Sequence, residues 1–430
     1  MKTKLLEEIL SDKNLYKAMK AVMVNKGSYG VDGMNCDELE GYVNEHREEI
    51  RDKIRRRKYK PLPVRRVQIP KGDGTKRNLG IPSVKDRWIQ QAIYQILCPM
   101  CEEVFSNLSY GFRPNRSCEN AVVKALEYMN DGYDWIVDID LSKFFDNVNQ
   151  DILMILVHNI IKDPDTESLI RKVLQSGVLV DGVFHETRKG TPQGGNLSPL
   201  LANIYLHELD KELEKRELRF TRYADDIIIC VKSELAAKRV MKSIKRWLEE
   251  KLRVQVNVTK SKVCKPNEMK YLGFGFYNNK EGWKPKPHIK SIMKLKEKLK
   301  EVTKRRWSIN IEIRIKRINS ILRGWINYFK IGDFNIRMKS IDSWIRFRIR
   351  ICMWKQWKTP KNRRKNLIKL GVNYEKAYMH SYSRKSYARV ASSPIMMTTV
   401  TNKVLKDKGL LFGTEYLTKI KTQPQRLSLF

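Results

Sequence analysis

The sequence predicts an α+β domain built around an antiparallel sheet, followed by a basic helical region. In residues 1–280, segments with helical periodicity alternate with short β-rich runs, and clusters of Gly and Pro separate them. After residue 280, apolar residues recur at helical spacing with Lys and Arg between them. Hydrophobic residues make up 41% of the 430 residues, which is enough to form a folded core.

The elements of the first domain follow from these local patterns. The predicted helices have helical apolar spacing and span 1–24, 84–105, 117–130, 151–175, 197–217 and 234–251. The predicted strands are β-rich runs at 64–70, 134–141, 178–186, 220–231 and 254–258. A Pro-rich stretch at 283–288 is expected to be extended, and with the change in composition it marks a functional boundary near 280–290.

The net charge is strongly positive and unevenly distributed. The chain carries 85 Lys and Arg against 48 Asp and Glu, a net charge of +37. Residues 281–430 hold 37 of the basic and 9 of the acidic residues, net +28. Aromatic residues are interleaved with these basic helices at Trp325, Tyr328, Trp344, Trp354 and Trp357. This combination suits phosphate neutralisation and base stacking, so the expected partner is a nucleic acid, RNA rather than duplex DNA. Heparin-like or membrane-surface partners are the alternative.

The sequence predicts neither a membrane span nor a signal peptide. It contains no run approaching about 18 uninterrupted apolar residues. The N-terminal segment carries acidic residues within its apolar periodicity, unlike the apolar core of a signal peptide. A cytoplasmic location is therefore expected.

Two acidic residues share one face of a predicted strand. In the run at 134–141, Asp138 and Asp140 alternate with apolar residues, and side chains two positions apart point to the same side of a strand. Carboxylates among apolar neighbours are costly to bury unless a cation lies against them. A divalent metal ion is the simplest explanation for this pattern.

A second acidic element lies between two β-rich arms. Residues 220–231 read Phe-Thr-Arg-Tyr-Ala-Asp-Asp-Ile-Ile-Ile-Cys-Val, which predicts a hairpin with Asp225 and Asp226 at its tip. Adjacent carboxylates repel each other, and Mg²⁺ relieves this repulsion because it takes oxygen ligands and completes its shell with water and substrate phosphates. Two such ions about 3.5–4 Å apart can activate a primer 3′-hydroxyl and neutralise departing pyrophosphate. A simple turn is the alternative for an Asp-Asp pair on its own.

The Tyr-Ala-Asp-Asp sequence at 223–226 resembles the YxDD signature of reverse transcriptases, in the Ala form typical of mobile group II introns. Six further segments resemble motifs of that family in the family's order: 25–33, 69–82 with Asp86 and Arg87, 110–114, 190–199, 271–274 and 324–329. Because seven ordered motifs are highly specific, the sequence is identified as a member of the group II intron-encoded reverse transcriptase/maturase family. The resemblance implies a right-hand polymerase of fingers and palm, with an α-helical thumb and maturase domain.

The resemblance also implies which carboxylates are catalytic. Carried over position by position, Asp140, Asp225 and Asp226 bind two Mg²⁺ ions, for which Mn²⁺ can substitute. Asp140 is preferred to Asp138 because Phe145, five residues on, falls where the family places its steric gate; Asp138 remains a rival. The Phe145 ring would exclude a ribose 2′-hydroxyl and so favour dNTPs. A place in the hydrophobic core is the alternative for Phe145.

Contacts with nucleotide, template and primer follow from the same resemblance. Lys71 and Arg77 match the cations that bind the triphosphate, and a guanidinium with a point charge suits phosphate; a place in the Gly-rich turn is the alternative. Gln193 resembles the residue under the incoming nucleotide. The implied template and primer contacts are Arg113, Gly194, Gly195, Tyr271, Leu272 and Gly273. For Arg113 a structural role is equally open.

The implied domain order is an N-terminal extension at 1–60, fingers and palm at 61–280, thumb and maturase (X) domain at 281–390, and a tail at 391–430. Full-length mobile-intron proteins often end in an HNH-type endonuclease with paired cysteines. The tail lacks CxxC and HNH spacing, so the sequence resembles the compact bacterial class without an endonuclease. A small DNA-binding region is a candidate for this tail.

The expected activity is RNA-directed DNA polymerisation, combined with binding of the parent group II intron RNA to assist splicing and mobility. The expected partners are that intron RNA, an RNA template, a DNA primer, target DNA and dNTPs, with no membrane, in a bacterial cytoplasm. One alternative is an RNA-binding splicing factor with a relic polymerase site. Another is the reverse transcriptase of a retron or defence system.

Overall fold

The structure is a computed structural model that describes residues 4–70, 74, 76–192 and 194–422. The chain divides into two compact units, Met1–Pro266 and Asn267–Phe430. The first unit mixes helices and strands, and the second is mainly helical. The predicted α+β architecture with a basic helical region after it is confirmed.

The first unit contains ten α-helices among its described residues. In chain order they are α1 Lys4–Ile9, α2 Asp12–Asn25, α3 Leu39–Arg55, α4 Val84–Val104, α5 Cys118–Asn130, α6 Phe144–Asn147, α7 Gln150–Ile161, α8 Pro164–Leu174, α9 Ser198–Lys215 and α10 Glu234–Lys251. Its strands are β1 Val64–Pro70, β2 Lys76–Ile81, β3 Trp135–Asp140, β4 Val178–Val180, β5 Val183–His185, β6 Arg219–Tyr223, β7 Asp226–Val231 and β8 Lys262–Cys264. They form two four-stranded sheets.

The sheet that carries the acidic residues has the strand order β6-β7-β3-β8 and is antiparallel throughout. Helices α5, α9 and α10 contact its strands. The sheet's buried side chains join one large core, of which Val137, Ile139, Phe220, Ile227 and Ile229 are members. Because β-branched and aromatic side chains fill a half-buried pleated surface well, these runs form strands.

The other sheet has the order β2-β1-β4-β5. Strand β1 pairs antiparallel with β2 and parallel with β4. The β4–β5 hairpin turns at Asp181 and Gly182, which both have positive φ (49° and 85°). The predicted strand at 178–186 is therefore two short strands, because residues in the left-handed region close a hairpin turn.

Three further predicted elements differ from the structure. The single helix predicted at 1–24 is the pair α1 and α2, and Ser11 caps the N-terminus of the second of them. The single helix predicted at 151–175 is the pair α7 and α8, because Lys162 has φ 47° and Pro164 begins a new helix capped by Asp163. The strand predicted at 254–258 is wrong: Val256 makes one isolated bridge to Leu141. The Asn257 side chain then accepts hydrogen bonds from Thr259, which turns the chain before β8 begins.

The second unit begins with a two-stranded sheet and continues as helices. The strands are β9 Phe274–Asn279 and β10 Gly282–Pro287, and the helices are α11 Ile289–Val302, α12 Ile311–Phe329, α13 Asn335–Gln356, α14 Pro360–Lys369, α15 Tyr374–Ser381, α16 Tyr387–Ala391, α17 Pro394–Thr399, α18 Asn402–Asp407 and α19 Gly413–Thr422. The Pro-rich stretch is extended, as predicted. Helix α13 packs against α16 and α19. In the described part of the chain, no helix combines the length and apolarity needed to cross a bilayer.

The aromatic residues predicted to stack on bases are not equally accessible. Trp354 and Trp357 are 1% and 8% exposed, and their rings pack against each other at 5.7 Å. The Arg363 guanidinium also lies 4.8 Å from the centre of the Trp354 ring. The prediction of base stacking was wrong for these two residues because their side chains are part of the hydrophobic core of the second unit. Tyr328 is exposed.

Candidate active site

The strand register brings the predicted carboxylates together. In the pairing of β3 with β7, Asp140 lies directly opposite Asp226. Directly opposed residues of an antiparallel pair have Cα atoms about 4.5–5.5 Å apart. Tyr223 pairs with Asp226, so Ala224 and Asp225 form the two-residue turn between β6 and β7. The predicted hairpin with its acidic tip is confirmed, and the tip lies beside the end of β3.

Negative charge is concentrated at this end of the sheet. Burial raises the pKa of Asp138 to about 6; Lys262 opposes the shift, and the charges of Asp226 and Asp140 add to it. Lys262 lies opposite Asp138 in the β3–β8 pairing. Lys260 Nζ is 3.8 Å from Asp140 Oδ2. These cations offset part of the repulsion among the carboxylates.

The donor atoms at this site suit a hard divalent cation. Asp140, Asp225 and Asp226 supply oxygen ligands only, the kind that Mg²⁺ prefers. Among the residues that the structure describes, no group of three or more His, Cys, Asp and Glu side chains is already arranged to hold a metal ion. The chemistry of the residues fits such an ion, and a substrate phosphate would complete its ligand set.

A buried ion pair stabilises the acidic turn through a hydrogen bond to its backbone. The side chains of Arg222 and Asp210 are both fully buried. Arg222 Nε donates to Asp210 Oδ1 at 2.7 Å, and its Nη2 donates to the other carboxylate oxygen. Arg222 Nη1 donates to the Ala224 carbonyl at 3.1 Å and to Asn203 Oδ1 at 2.9 Å. Burial raises the pKa of Asp210, and the charge and hydrogen bonds of Arg222 oppose that shift.

Gly111 closes the other side of the turn. A Cβ atom at this position would lie 2.3 Å from the Ala224 backbone nitrogen, closer than real Cβ contacts allow. Asn203 Nδ2 donates to the Gly111 carbonyl at 2.8 Å. Asn203 therefore links the segment around Gly111 with Arg222 and the turn. The close approach explains why glycine occupies the predicted motif at 110–114.

Sequence reasoning did not find the supporting residues Arg222, Asp210 and Asn203. Phe220, Thr221 and Arg222 are all buried, so β6 shows no alternation that would point to an inward arginine. A signal did exist in α9, where Asp210 follows Leu206 by four residues and precedes Leu213 by three. An acid on the apolar face of a helix needs a buried partner.

Phe145 lies beside the start of the predicted motif at 190–199, which contains Pro-Gln-Gly at 192–194 and is named the PQG loop. It is 8% exposed, and its ring packs edge-on against Phe144 at 5.4 Å. The Thr191 backbone N–H donates to the Phe145 carbonyl at 2.7 Å. A Cβ atom on Gly190 would lie 2.7 Å from the same carbonyl oxygen. The structure thus brings Phe145 and the start of this loop together, and places much of the ring in the core.

The glycines of the same loop approach β2 and α4. Gly194 has φ 124°, and a Cβ atom there would lie 2.4 Å from the Gly80 carbonyl oxygen. At Gly195 a Cβ atom would lie 2.6 Å from Gln90 Oε1. The predicted nucleotide contacts Lys71 and Gln193, and the side chain of Arg77, lie outside the described residues; the Arg77 backbone pairs with Ile69 in the β1–β2 hairpin.

Arg113 is engaged within the first unit. Its side chain is 2% exposed. The Nε and Nη2 atoms donate to the Glu102 carboxylate at 2.9 Å, and Nη1 donates to the carbonyls of Ser106 and Ser109. Of the two alternatives for Arg113, this arrangement favours the structural role.

The segment at 271–274, whose residues are predicted to contact template and primer, lies in the second unit. Tyr271 and Phe274 exchange two backbone hydrogen bonds, of 3.0 and 2.8 Å, around a tight turn. Leu272 and Gly273, at its centre, have φ 48° and 85°, as a type I′ turn requires. Tyr328 Oη donates to the Leu272 carbonyl at 2.8 Å. Two predicted motifs, 271–274 and 324–329, therefore pack together.

Comparison with known families agrees with this arrangement. Residues 69–276 match the family described as "Reverse transcriptase (RNA-dependent DNA polymerase)". Residues 292–371 match "Group II intron, maturase-specific domain". The first match includes both carboxylate strands, and the second includes α12 and α13.

Three curated proteins illustrate the relationship. Protein YkfC of Escherichia coli (strain K12) is 32% identical over 305 residues, which cover 62% of this chain and 80% of YkfC. Group II intron-encoded protein LtrA of Lactococcus lactis subsp. cremoris is 39% identical over 256 residues, 59% of this chain and 42% of LtrA. The putative COX1/OXI3 intron 2 protein of Saccharomyces cerevisiae is 30% identical over 322 residues, 61% of this chain and 36% of that protein.

The chain thus spans most of YkfC but less than half of the two intron-encoded relatives. The predicted family is confirmed by the two domain matches, which occur in the expected order, and by these relatives. The chain belongs to the group II intron-encoded reverse transcriptases, in which an RNA-directed DNA polymerase domain is followed by a maturase domain.

Proposed function

We propose that this protein extends a DNA primer on an RNA template by adding dNMP to the primer 3′-hydroxyl with release of pyrophosphate. The observation that carries the proposal is the pairing of Asp140 with Asp226 beside the turn that bears Asp225. Three carboxylates at one end of a sheet supply the oxygen ligands that divalent cations take, and divalent metals are general in this family. We assign two Mg²⁺ ions to these residues, with Mn²⁺ as a substitute. When bound, they activate the 3′-hydroxyl and neutralise charge on the phosphates.

Other residues of the chain fix the positions of the three carboxylates. Strands β3 and β7 fix the spacing of Asp140 and Asp226 through their backbone pairing. Arg222 fixes the carbonyl of the turn before Asp225, so it is a positioning residue. Rigid placement contributes to rate because the reacting groups need little reorganisation.

Nucleotide selection is assigned to residues around the PQG loop. Lys71 and Arg77 would bind the triphosphate and Gln193 would lie beneath the incoming nucleotide, while Gly194 and Gly195 would let the template and primer approach the backbone of the loop. The close approach of Gly194 to Gly80 supports this assignment, since it joins the loop to the hairpin that carries Arg77. We assign Tyr271, Leu272 and Gly273 to the primer strand.

Primer extension tests the proposal directly. A DNA primer annealed to an RNA template should be extended by dNTPs to the end of the template when Mg²⁺ is present. EDTA should abolish extension, and excess Mg²⁺ should restore it. Absence of extension by folded protein in Mg²⁺ and in Mn²⁺ would leave a relic polymerase site as the explanation.

A second prediction concerns sugar selection by Phe145. Changing Phe145 to Val should raise the ratio of rNTP to dNTP incorporation by about 10–100-fold, because removing the ring opens space for a 2′-hydroxyl. The measurement is kcat/KM for one matched rNTP and dNTP pair. Phe144→Val is the matched control: it removes a neighbouring, more deeply buried ring and should lower stability without changing that ratio. An unchanged ratio in the Phe145 variant would place the gate elsewhere.

We further propose that the protein binds its parent group II intron RNA and assists splicing and mobility at a DNA target. The match of residues 292–371 to the maturase-specific domain supports the intron type over a retron or defence enzyme. The net charge of +28 in residues 281–430 supports RNA binding by counterion release. Within this proposal, 1–60 is an N-terminal extension, 61–280 the fingers and palm, 281–390 the thumb and maturase domain, and 391–430 a tail that contacts DNA. The protein would bind the intron transcript in the bacterial cytoplasm.

A further inference from the structure

A row of exposed aromatic rings runs along one face of α15 and its C-terminal cap. We name Tyr374, Tyr378 and Tyr382 the tyrosine row. Their spacing of four residues puts them on the same side of a helix. They are 61%, 47% and 56% exposed. The first two rings are stacked at 6.3 Å with 26° between their planes, and the last two lie 5.2 Å apart.

The fold of the second unit does not need these rings. Helix α15 packs against α14. Its buried residues are Ala377 and Ser381, and the buried residue of α14 is Leu367. The Ser381 carbonyl accepts a hydrogen bond from Arg363 Nη1 at 3.2 Å, which ties the two helices together. The tyrosines are therefore a surface feature whose large apolar faces remain available to a partner.

A cation joins the tyrosine row from the neighbouring helix. The Arg364 guanidinium carbon lies 5.5 Å from the ring centres of both Tyr374 and Tyr378. Its Nη1 atom is 3.5 Å from Tyr374 Oη. Residues 358–389 contain ten Lys and Arg against one acid, Glu375, a net charge of +9. Stacked rings beside dense positive charge are what a base and its phosphate each require.

We propose that the tyrosine row and Arg364 form a stacking site for the unpaired bases of a single-stranded nucleic acid. Unpaired bases expose both faces for stacking on aromatic rings, whereas bases in a duplex are already stacked on each other. A membrane headgroup or an acidic peptide would use the positive charge, but neither supplies the flat unpaired bases that stack on a row of rings. The site lies within residues 281–390, so the proposal rests on the RNA binding proposed for that region. It is separate from the residues assigned to catalysis and nucleotide binding, and its test needs neither dNTPs nor metal.

Photo-crosslinking of the full chain locates the binding site. A single-stranded oligonucleotide containing 5-iodouracil should crosslink to the tyrosine row on irradiation, with the product mapped by mass spectrometry to the peptide that contains 374–382. The same sequence annealed to its complement should give little crosslink there. Changing Tyr374 and Tyr378 together to Leu should reduce the single-strand crosslink at the remaining Tyr382 by about tenfold or more, because base stacking is lost. Tyr16→Leu, in α2, is the matched control, since Tyr16 is also exposed beneath a lysine and lies in the other unit.

An abasic strand separates stacking from charge. It keeps the phosphates and lacks the bases, so it should compete with the iodinated strand far less well than an intact strand does. Equal competition by the abasic strand, or equal crosslinking of the duplex, would overturn the proposal and leave a general electrostatic patch. Equal competition by anionic lipid vesicles would overturn it in favour of a membrane surface. If the variant with Tyr374 and Tyr378 changed to Leu unfolds at the normal temperature and crosslinks as strongly as before, the tyrosines do not form the binding site and the proposal is overturned.

Discussion

Changing Asp225 to Asn should lower the rate of primer extension by about 10³-fold or more. A loss of about 4 kcal/mol of transition-state stabilisation corresponds to that factor, and removing one carboxylate from a divalent metal site is expected to cost at least as much. The Asn side chain keeps the size of Asp and removes one of the mutually repelling charges at the tip of the β6–β7 hairpin. The folded protein should therefore persist, and single-turnover extension on an RNA template measures the effect.

Splicing assistance should survive in the same variant. It depends on binding of the intron RNA and not on the acidic residues, so Asp225→Asn protein should still bind the intron and promote its splicing. Asp181→Asn is a suitable control, since Asp181 is an exposed aspartate in the β4–β5 turn and Asn also tolerates its positive φ. If a folded Asp225→Asn protein lost both primer extension and splicing, the two activities would not have separate roles. If it extended primers at the full rate, Asp225 would not be a metal ligand.

Changing Asp210 to Asn should cause a large loss of stability for a single polar substitution. It leaves the guanidinium of Arg222 buried without its charge partner, a change that costs about 3–5 kcal/mol in comparable buried pairs. The unfolding transition of the first unit, followed by circular dichroism in urea, should shift to lower denaturant. Protein that remains folded should also extend primers more slowly, since Arg222 then holds the Ala224 carbonyl less firmly.

A double variant and a surface pair make this prediction specific. Replacing Asp210 and Arg222 together with Leu and Met should cost less than the two single changes added, because no buried charge remains unpaired. Glu250→Asn, which breaks the exposed pair with Arg246 on α10, should leave the transition nearly unchanged. An equal shift for the exposed and the buried pair would show that Arg222 needs no buried partner.

The elements that carry the candidate site could be predicted because their signals are local. Alternation of acidic and apolar residues indicated β3, and two β-rich arms around Asp225 and Asp226 indicated the hairpin. Two-residue periodicity also fixed which face each carboxylate occupies. Their convergence across the sheet was expected from the family resemblance, and the register of Asp140 with Asp226 agrees with it.

What could not be predicted depends on packing between distant segments. Arg222 lies beside apolar residues that are all buried, so no alternation in β6 marked it as an inward residue. Trp354 looked like a base-stacking residue in a basic helix, yet it is buried against Trp357. The tyrosine row was missed because its exposure depends on how α15 packs on α14, which the sequence does not reveal.

The close fit of Gly111 against the Ala224 backbone has a practical consequence for protein engineers. Random libraries intended to improve speed or heat tolerance would include side chains at Gly111, and even a methyl group there would clash with the backbone of the acidic turn and displace it. Most such clones are expected to fold and yet fail to copy RNA. Keeping the codon for Gly111 unchanged in such a library would exclude these inactive variants, and the surrounding surface positions could still be varied.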